Sequence, residues 1–515
     1  MAREQEHASG IHPAEVWKHA RPYASIRYAS KTAVHRLNLF PFFLVSLTFG
    51  SLFSEVFIRW EKAETHPAEP GTGHTPNAFQ QMKRKVKVFK FGGASVRDAA
   101  GIRNVAEILQ GYREESIVII VSAMGKTTDR LEQLAAAHAA GQTDQAWKLL
   151  AEVRQGHDQV MGELFGGHGQ VYEEVNDTFV AIEWVLEDPP HPNFDFLYDQ
   201  IVSIGEVVSS RILAAYLNRV GLPTRWLDAR DIIRTDDIYR EGWVQWEETQ
   251  EHAESAVPPL LDAGGFVLTQ GFIGSTSENF TTTLGREGSD YTAAIFSYCL
   301  DADSMTIWKD VPGVLTGDPR IFDHVTKLDR LSYREAIEMT YYGAKVIHPK
   351  TIKPLQNKSI PLFVKSFKDP TGDGTYIGPD IDDLYPPMVA VERNQALLNI
   401  STRDFSFVAE HHMSYLFNKI AEFRLQVNLM QNTAISFAIC VNDVDDKVFR
   451  FARSIERDFK VMIDNEGLEL ITVRHYTQPV LDMLRQGKVI LVEERTRNTV
   501  QMVAKEVPQM VRKPG

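Results

Sequence analysis

Residues 117–121 read IVIIV. Five consecutive apolar residues leave no polar face, so this stretch reads as a short strand buried on both sides. A parallel sheet with helices on each face requires such strands. The surrounding sequence agrees. Residues 86–91 (VKVFKF) alternate apolar and polar side chains, and DAAGIRNVAEILQ then puts Ile102, Val105, Ala106 and Leu109 on one helical face. Residues 199–218 read as a helix ended by Gly221 and Pro223. Residues 266–273, 304–308 and 360–364 read as further strands. Strands alternating with helices define an α/β class, a mainly parallel sheet between two helical layers.

The rhythm changes near Pro386-Pro387. A strand (ALLNIS), a helix (MSYLFNKIAEF), two strands (QVNLM, ISFAICV), a helix (DDKVFRFARSIERDF) and a strand (LELITV) follow. This βαββαβ order suits a ferredoxin-like module. A short helix (VLDMLRQ) and a strand (KVILVEE) suggest a second, abbreviated module. The expected division is 82–384 for the α/β domain and 385–515 for the smaller modules.

Charge and cysteine content exclude some functions. Lys and Arg number 55 against 68 Asp and Glu, a net charge of −13, so the chain as a whole presents no field for nucleic acid or an anionic membrane. Cys299 and Cys440 stand far apart in sequence and outside any CxxC, which argues against a disulfide framework or thiolate metal site and for a reducing, cytoplasmic compartment.

Four stretches carry chemistry. In VFKFGGAS (88–95) a strand runs into Gly92-Gly93 and a helix, with Lys90 at the strand end and Ser95 beyond; this is either an anion cradle or a tight turn with a solvated lysine. In TTTLGREGSDYTAA (281–294), Gly285, Gly288 and Ser289 form a small-residue loop ending at Asp290. That aspartate reads as a cap for a helix starting at Tyr291, and Arg286 suits a bidentate carboxylate contact or a surface ion pair. IWKDVPGVLTGDPR (307–320) delivers Lys309 and Asp310 from a strand into a turn before Arg320, at the strand end where α/β sheets bind ligands. YYGAKVIHPKT (341–351) adds Lys345, a phosphate or ribose contact or an exposed lysine. Glu206, in VSIGEVVSS, is a lone carboxylate on an apolar helix. His348, His411 and His412 lack metal-ligand spacing. No protein metal site is expected, so a divalent ion would ride on nucleotide phosphates.

The ordered set KFGGAS, VSAMGKTTD, IGE, TTLGREGSD, WKDVPGVLTGDPR and GAKVIHPKT resembles aspartate kinases of the amino-acid kinase family, over about residues 86–367. The downstream modules look like that family's ACT regulatory domains. The LGR–GSD and DPR loops separate this resemblance from glutamate 5-kinase and UMP kinase relatives. It implies a three-layer αβα, carbamate kinase-like domain followed by ACT modules. It also implies ATP-dependent phosphorylation of the L-aspartate side chain to 4-phospho-L-aspartate, the first step toward lysine, threonine and methionine, with Mg²⁺ carried on the phosphates. By carry-over, Lys90 and Asp290 are catalytic. Ser122, Thr128, Glu206, Arg286 and Ser289 hold aspartate, Glu206 through its ammonium and Arg286 through its α-carboxylate. Lys90, Gly92, Gly93, Ser95, Lys309, Asp310, Arg320 and Lys345 contact nucleotide. The alternatives are a kinase of the same fold acting on another amino acid, or a catalytically silent ACT-type ligand sensor.

Some positions depart from the pattern. Glu287 stands where the family often has Gly, and Leu315 where Tyr is common. EHHMS (410–414) replaces a small glycine-containing loop, and Asn428 and Ala434 stand where acidic residues would meet an effector ammonium. Weak or altered lysine sensitivity is therefore the expectation. ACT pairing implies a homodimer or larger assembly. Residues 1–81 read as an over-extended gene start or disordered leader, with MKRKVKVFKFGG from Met82 resembling a natural start. Residues 39–58 are a 20-residue apolar run of membrane-span length, weakened by Pro41 and Glu55. Its flanking charges would export everything downstream, which conflicts with an ATP-using enzyme, so a membrane anchor is not the preferred reading.

Overall fold

The computed structural model describes residues 85–343, 347–379, 384–404 and 406–506. The leader, the apolar run at 39–58 and Lys345 lie outside them.

The strands of the α/β domain are β1 (Val86–Phe91), β2 (Ser116–Val121), β3 (Thr224–Leu227), β4 (Phe266–Gln270), β5 (Ile273–Ser275), β6 (Thr281–Thr283), β7 (Ser304–Lys309), β8 (Arg330–Ser332), β9 (Leu362–Ser366) and β10 (Thr375–Gly378). Eight of them form one sheet in the order β3-β4-β2-β1-β7-β9-β10-β8. The first six run parallel; β10 is antiparallel to β9, and β8 follows β10 in parallel. The short β5 and β6 form a separate antiparallel pair.

Helices α1 (Ala99–Gln110), α2 (Thr127–Ala139), α3 (Thr143–Phe165), α4 (Gln170–Glu187), α5 (Phe194–Val202) and α6 (Ile204–Arg219) build the core on one face. Helices α7 (Trp246–Asp262), α8 (Gly288–Cys299), α9 (Tyr333–Tyr341) and α10 (Pro349–Asn357) cover the other. The IVIIV segment explains the layering. Ile117, Ile119 and Val121 enter the first core, while Val118 and Ile120 enter the second. Trp308 is buried on β7 with ring centroids 5.8 and 5.9 Å from Phe89 and Phe91 of β1. The helix read at 199–218 is two helices meeting at Ser203, and the strand read at 266–273 is broken after Gln270 by Gly271 and by Phe272, whose φ is 72°.

Downstream come β11 (Met388–Thr402), α11 (Glu410–Glu422), β12 (Val427–Asn432), β13 (Ser436–Asn442), α12 (Lys447–Ile455), β14 (Phe459–Arg474), α13 (Gln478–Arg485), β15 (Lys488–Arg495) and β16 (Thr499–Glu506). They form one antiparallel sheet, β12-β13-β11-β14-β16-β15. The first module has the expected βαββαβ order, its core formed by Ala396, Leu398 and Ile400 beneath Leu416, Ile420 and Phe451, but it closes with the start of β14 at 459–464 and not with the LELITV stretch, which pairs with β16. The second uses the end of β14, then α13, β15 and the strand β16, which the sequence reading did not find. It borrows the start of β11 as its fourth strand. The long β11 and β14, of 15 and 16 residues, therefore serve both modules. Their pairing shifts register between Arg393 and Leu397, around Asn394 at φ 56°.

This sheet docks on the α/β domain. Arg474 at the end of β14 donates from Nε and Nη2 to the Glu335 carboxylate at 2.6 and 2.8 Å, and from Nη1 to Glu338 at 2.9 Å, both on α9. The Val389 N–H donates to the Thr316 carbonyl at 2.8 Å.

Candidate active site

The carboxyl ends of β1, β2, β4 and β7 open onto a cavity of about 930 Å³. Lys90, Ser122, Thr128, Glu206, Arg286, Ser289, Asp290 and Lys309 all line it. Residues from five separated stretches of sequence thus converge.

The packing that brings them together depends on small residues. Gly271, after β4, lets the start of α8 approach; a Cβ there would lie 2.4 Å from the Ser289 Cβ. Gly93 packs against the turn after β2, where a Cβ would lie 2.6 Å from the Ala123 carbonyl oxygen. Gly205 lets α6 settle against Ala123, Thr127 and Leu131, each with a side-chain atom 3.1–3.2 Å from where its Cβ would be. That contact sets Glu206 beneath the cavity.

Helix α8 begins at Gly288, with Glu287 in the cap position at φ 55°. Asp290 is therefore inside the first turn and is not the cap expected for a helix starting at Tyr291. Its carboxylate faces lysines instead, with Lys90 Nζ 2.6 Å from Oδ1 and Lys309 Nζ 3.5 Å from Oδ2. Burial would raise the Asp290 carboxyl, but the two ammonium groups outweigh it and hold it below the usual range. Lys90 itself is only 8% exposed. A buried anion thus gathers two cations at the mouth of a helix N-terminus, an arrangement suited to a polyphosphate.

Glu206 also lines the cavity and is 3% exposed. Its Oε1 accepts from the Ala123 N–H at 3.3 Å, while Oε2 meets no hydrogen-bond partner among the described residues. Burial pushes its carboxyl up to about 8, against the pull of the Ala123 N–H and of Lys90. A buried carboxylate oxygen without a donor suits a cationic ligand group.

Other expected residues stand apart from the cavity lining. Gly92 packs beside Lys90 Nζ, Ser95 is buried in the following turn, and Asp310 is exposed after β7. Arg320 is exposed and forks onto Asp318, with Nη2 to Oδ2 at 2.6 Å. The cavity also has walls that the sequence reading missed: Glu132, Tyr198, the 238–241 loop, Arg424 just after α11 and Lys447 at the start of α12. Tyr198 donates to Glu132 at 2.5 Å, and the Arg240 guanidinium lies 4.3 Å from the Tyr198 ring. Arg424 pairs with Asp195 at 3.6 Å.

A mainly parallel αβα core with a lysine-ringed aspartate and a second buried carboxylate defines a class of small-molecule phosphotransferase. The profile of the amino acid kinase family matches residues 85–366, and the chain belongs to that family. It is 32% identical over 365 residues to lysine-sensitive aspartokinase 3 of Escherichia coli, covering 70% of this chain and 78% of that one. It is 30% identical over 409 residues to a chloroplastic bifunctional aspartokinase/homoserine dehydrogenase 1 of Arabidopsis thaliana, spanning 43% of that longer protein. Among solved structures, E. coli aspartokinase III with aspartate and ADP (R-state) superposes at a TM-score of 0.71 and 27% identity, over 82% of this chain and 96% of that one. The complex with lysine and aspartate (T-state) matches at 0.68 and 27%, over 81% and 95%.

Proposed function

We propose that the chain is an aspartate kinase, transferring the γ-phosphoryl group of ATP to the side-chain carboxylate of L-aspartate to give 4-phospho-L-aspartate and ADP. One observation carries the reading: the donor-free Glu206 oxygen and the Lys90–Asp290–Lys309 cluster share a single cavity, so a cationic amino acid group and a polyphosphate have sites in one space.

Glu206 receives the substrate ammonium and Arg286 its α-carboxylate, with Ser122, Thr128 and Ser289 along the walls. The β-carboxylate then points at the lysine cluster. It is already ionised at neutral pH, with a reference pKa of about 3.9, so no general base is needed. A carboxylate oxygen forms the new P–O bond while the bond to the β,γ-bridging oxygen breaks and its electrons leave with ADP. The barrier lies in bringing anions together and in charge spreading over the phosphoryl oxygens. Lys90 and Lys309 meet that charge, and Asp290 holds them in place. Mg²⁺ carried in with the nucleotide would supply further charge neutralisation beside Lys90 and Lys309. Asp310, Arg320 and Lys345 remain proposed nucleotide contacts.

The reading extends to an amino-acid effector at the regulatory sheet, with lysine sensitivity weakened by Asn428 and Ala434, and to a cytoplasmic homodimer or larger assembly. Asn428 already donates to Gln395 and Asn442 at 2.8 Å each. Full inhibition by sub-millimolar lysine would overturn the weakened sensitivity, and light scattering checks the assembly.

Hydroxylamine trapping of the acyl phosphate tests the central claim. Product should form with L-aspartate and not with L-glutamate. Lys90→Ala should cut turnover at least ~10²-fold, the scale of losing one transition-state donor. Normal turnover by a folded Lys90→Ala protein would end the assignment.

A further inference from the structure

We propose that Asp199, which does not line the cavity, is a positioning residue that sets the spacing between the two groups gripping the amino acid, Glu206 and Arg286. This rests on the aspartate kinase reading.

The carboxylate is fully buried on α5 and bonds to two elements at once. Its Oδ2 accepts from the Arg240 N–H and the Thr283 N–H, each at 2.9 Å, and its Oδ1 accepts the Thr283 hydroxyl at 2.7 Å. Thr283 ends β6 and stands three residues before Arg286. Arg240 lies in the cavity-lining loop 238–241, at a φ of 69° that a non-glycine residue holds only when its surroundings fix it. That loop in turn packs on the Arg286 loop: a Cβ at Gly285 would lie 3.3 Å from both the Arg240 carbonyl oxygen and the Glu241 Cγ. Glu206 follows Asp199 by seven residues, across the helix junction at Ser203. One carboxylate therefore ties the helix pair bearing the ammonium acceptor to both sides of the loop bearing the carboxylate holder.

Side-chain bonds also link these elements, Gln200 Nε2 to the Thr281 carbonyl at 2.9 Å and Arg240 Nη1 to Asp195 at 3.4 Å, but they reach neither the Arg240 N–H nor the Thr283 N–H. A further backbone tie to β6, from the Gly242 N–H to the Thr283 carbonyl at 2.9 Å, reaches only the end of the loop. The geometry also predicts which replacement succeeds. An asparagine at 199 keeps an oxygen for the two backbone donors and can donate its amide to the Thr283 hydroxyl oxygen. An alanine leaves both N–H groups buried without an acceptor.

The test is steady-state kinetics on the full chain. Asp199→Ala should raise KM for aspartate by about tenfold or more, the scale of an ångström-level misplacement, with KM for ATP held within about twofold. Asp199→Asn should return KM for aspartate to within about threefold of the parent. Hydrogen exchange of the segment 238–243 should speed up in the alanine variant and stay slow in the asparagine variant. If Asp199→Ala does not fold, Thr283→Val, which removes only the hydroxyl bond, should still raise KM for aspartate without moving KM for ATP. A variant that only lowers thermal stability, or that moves both KM values together, overturns the proposal. A parent protein that makes no acyl phosphate overturns the kinase reading instead, and the exchange measurement still decides whether Asp199 holds the loop.

Discussion

Glu206 shows what a single residue does here. Its free oxygen sits in a pocket that favours the protonated form, with the carboxyl pushed up to about 8. An incoming ammonium favours the ionised form. Aspartate binding near pH 7 should therefore release close to one proton, measurable by titration calorimetry in buffers of different ionisation enthalpy. KM for aspartate should fall as pH rises toward 8, and Glu206→Gln should abolish the proton release and weaken binding at least ~10-fold. The sign for stability is opposite. Because the folded-state value lies above the ordinary 4.5, this group makes the ligand-free protein less stable as pH climbs from 4.5 toward 8. Sequence patterning alone marks Glu206 only as an odd carboxylate on an apolar helix; the resemblance supplied its role. Asp199 gives the same local signal, an acid in FDFLYDQIV, but its partners at 240 and 283 are set by tertiary folding and are invisible to periodicity.

Elements place these residues through close contacts. The start of α8 carries Ser289 and Asp290, and its position depends on the missing side chain at Gly271. Gly271→Ala should force the first turn of α8 away, costing about 1–3 kcal/mol of stability. It should also lower kcat, although residue 271 donates no group to the cavity. Thermal unfolding and turnover measured together check this, and a full-rate, full-stability variant would refute it. In the α/β domain β1, β2, β4, β7 and β9 were legible as apolar runs, while the short β3, β6, β8 and β10 carry too little pattern to read. β16, TVQMVAKE, escaped notice because its buried face is not a clean alternation: Thr499 through Ala504 are all buried. The break at Ser203 escaped for a related reason, since α5 and α6 are apolar on both sides of it.

For the whole molecule, the joint at Arg474 matters most. The guanidinium is 8% exposed and shared between Glu335 and Glu338. Burial would raise the Glu335 carboxyl, but Arg474 outweighs it and holds it low. Arg474→Ala strands a buried carboxylate and should cost about 3 kcal/mol, read as an earlier transition in urea. An unchanged profile would mean that water already screens the pair. The contributions of Arg424 and Lys447 to the cavity wall likewise exist only in the assembled chain, which is why the tail's sequence did not suggest them.

Because β11 and β14 run through both regulatory modules, the pair is joined by continuous strands, with the register shift around Asn394 as the irregular point between them. The two strands act as a stiff crossbar with one end anchored on α9 and the other carrying the first module's rim. A displacement imposed at that rim would reach the α/β domain through Arg474 and α9.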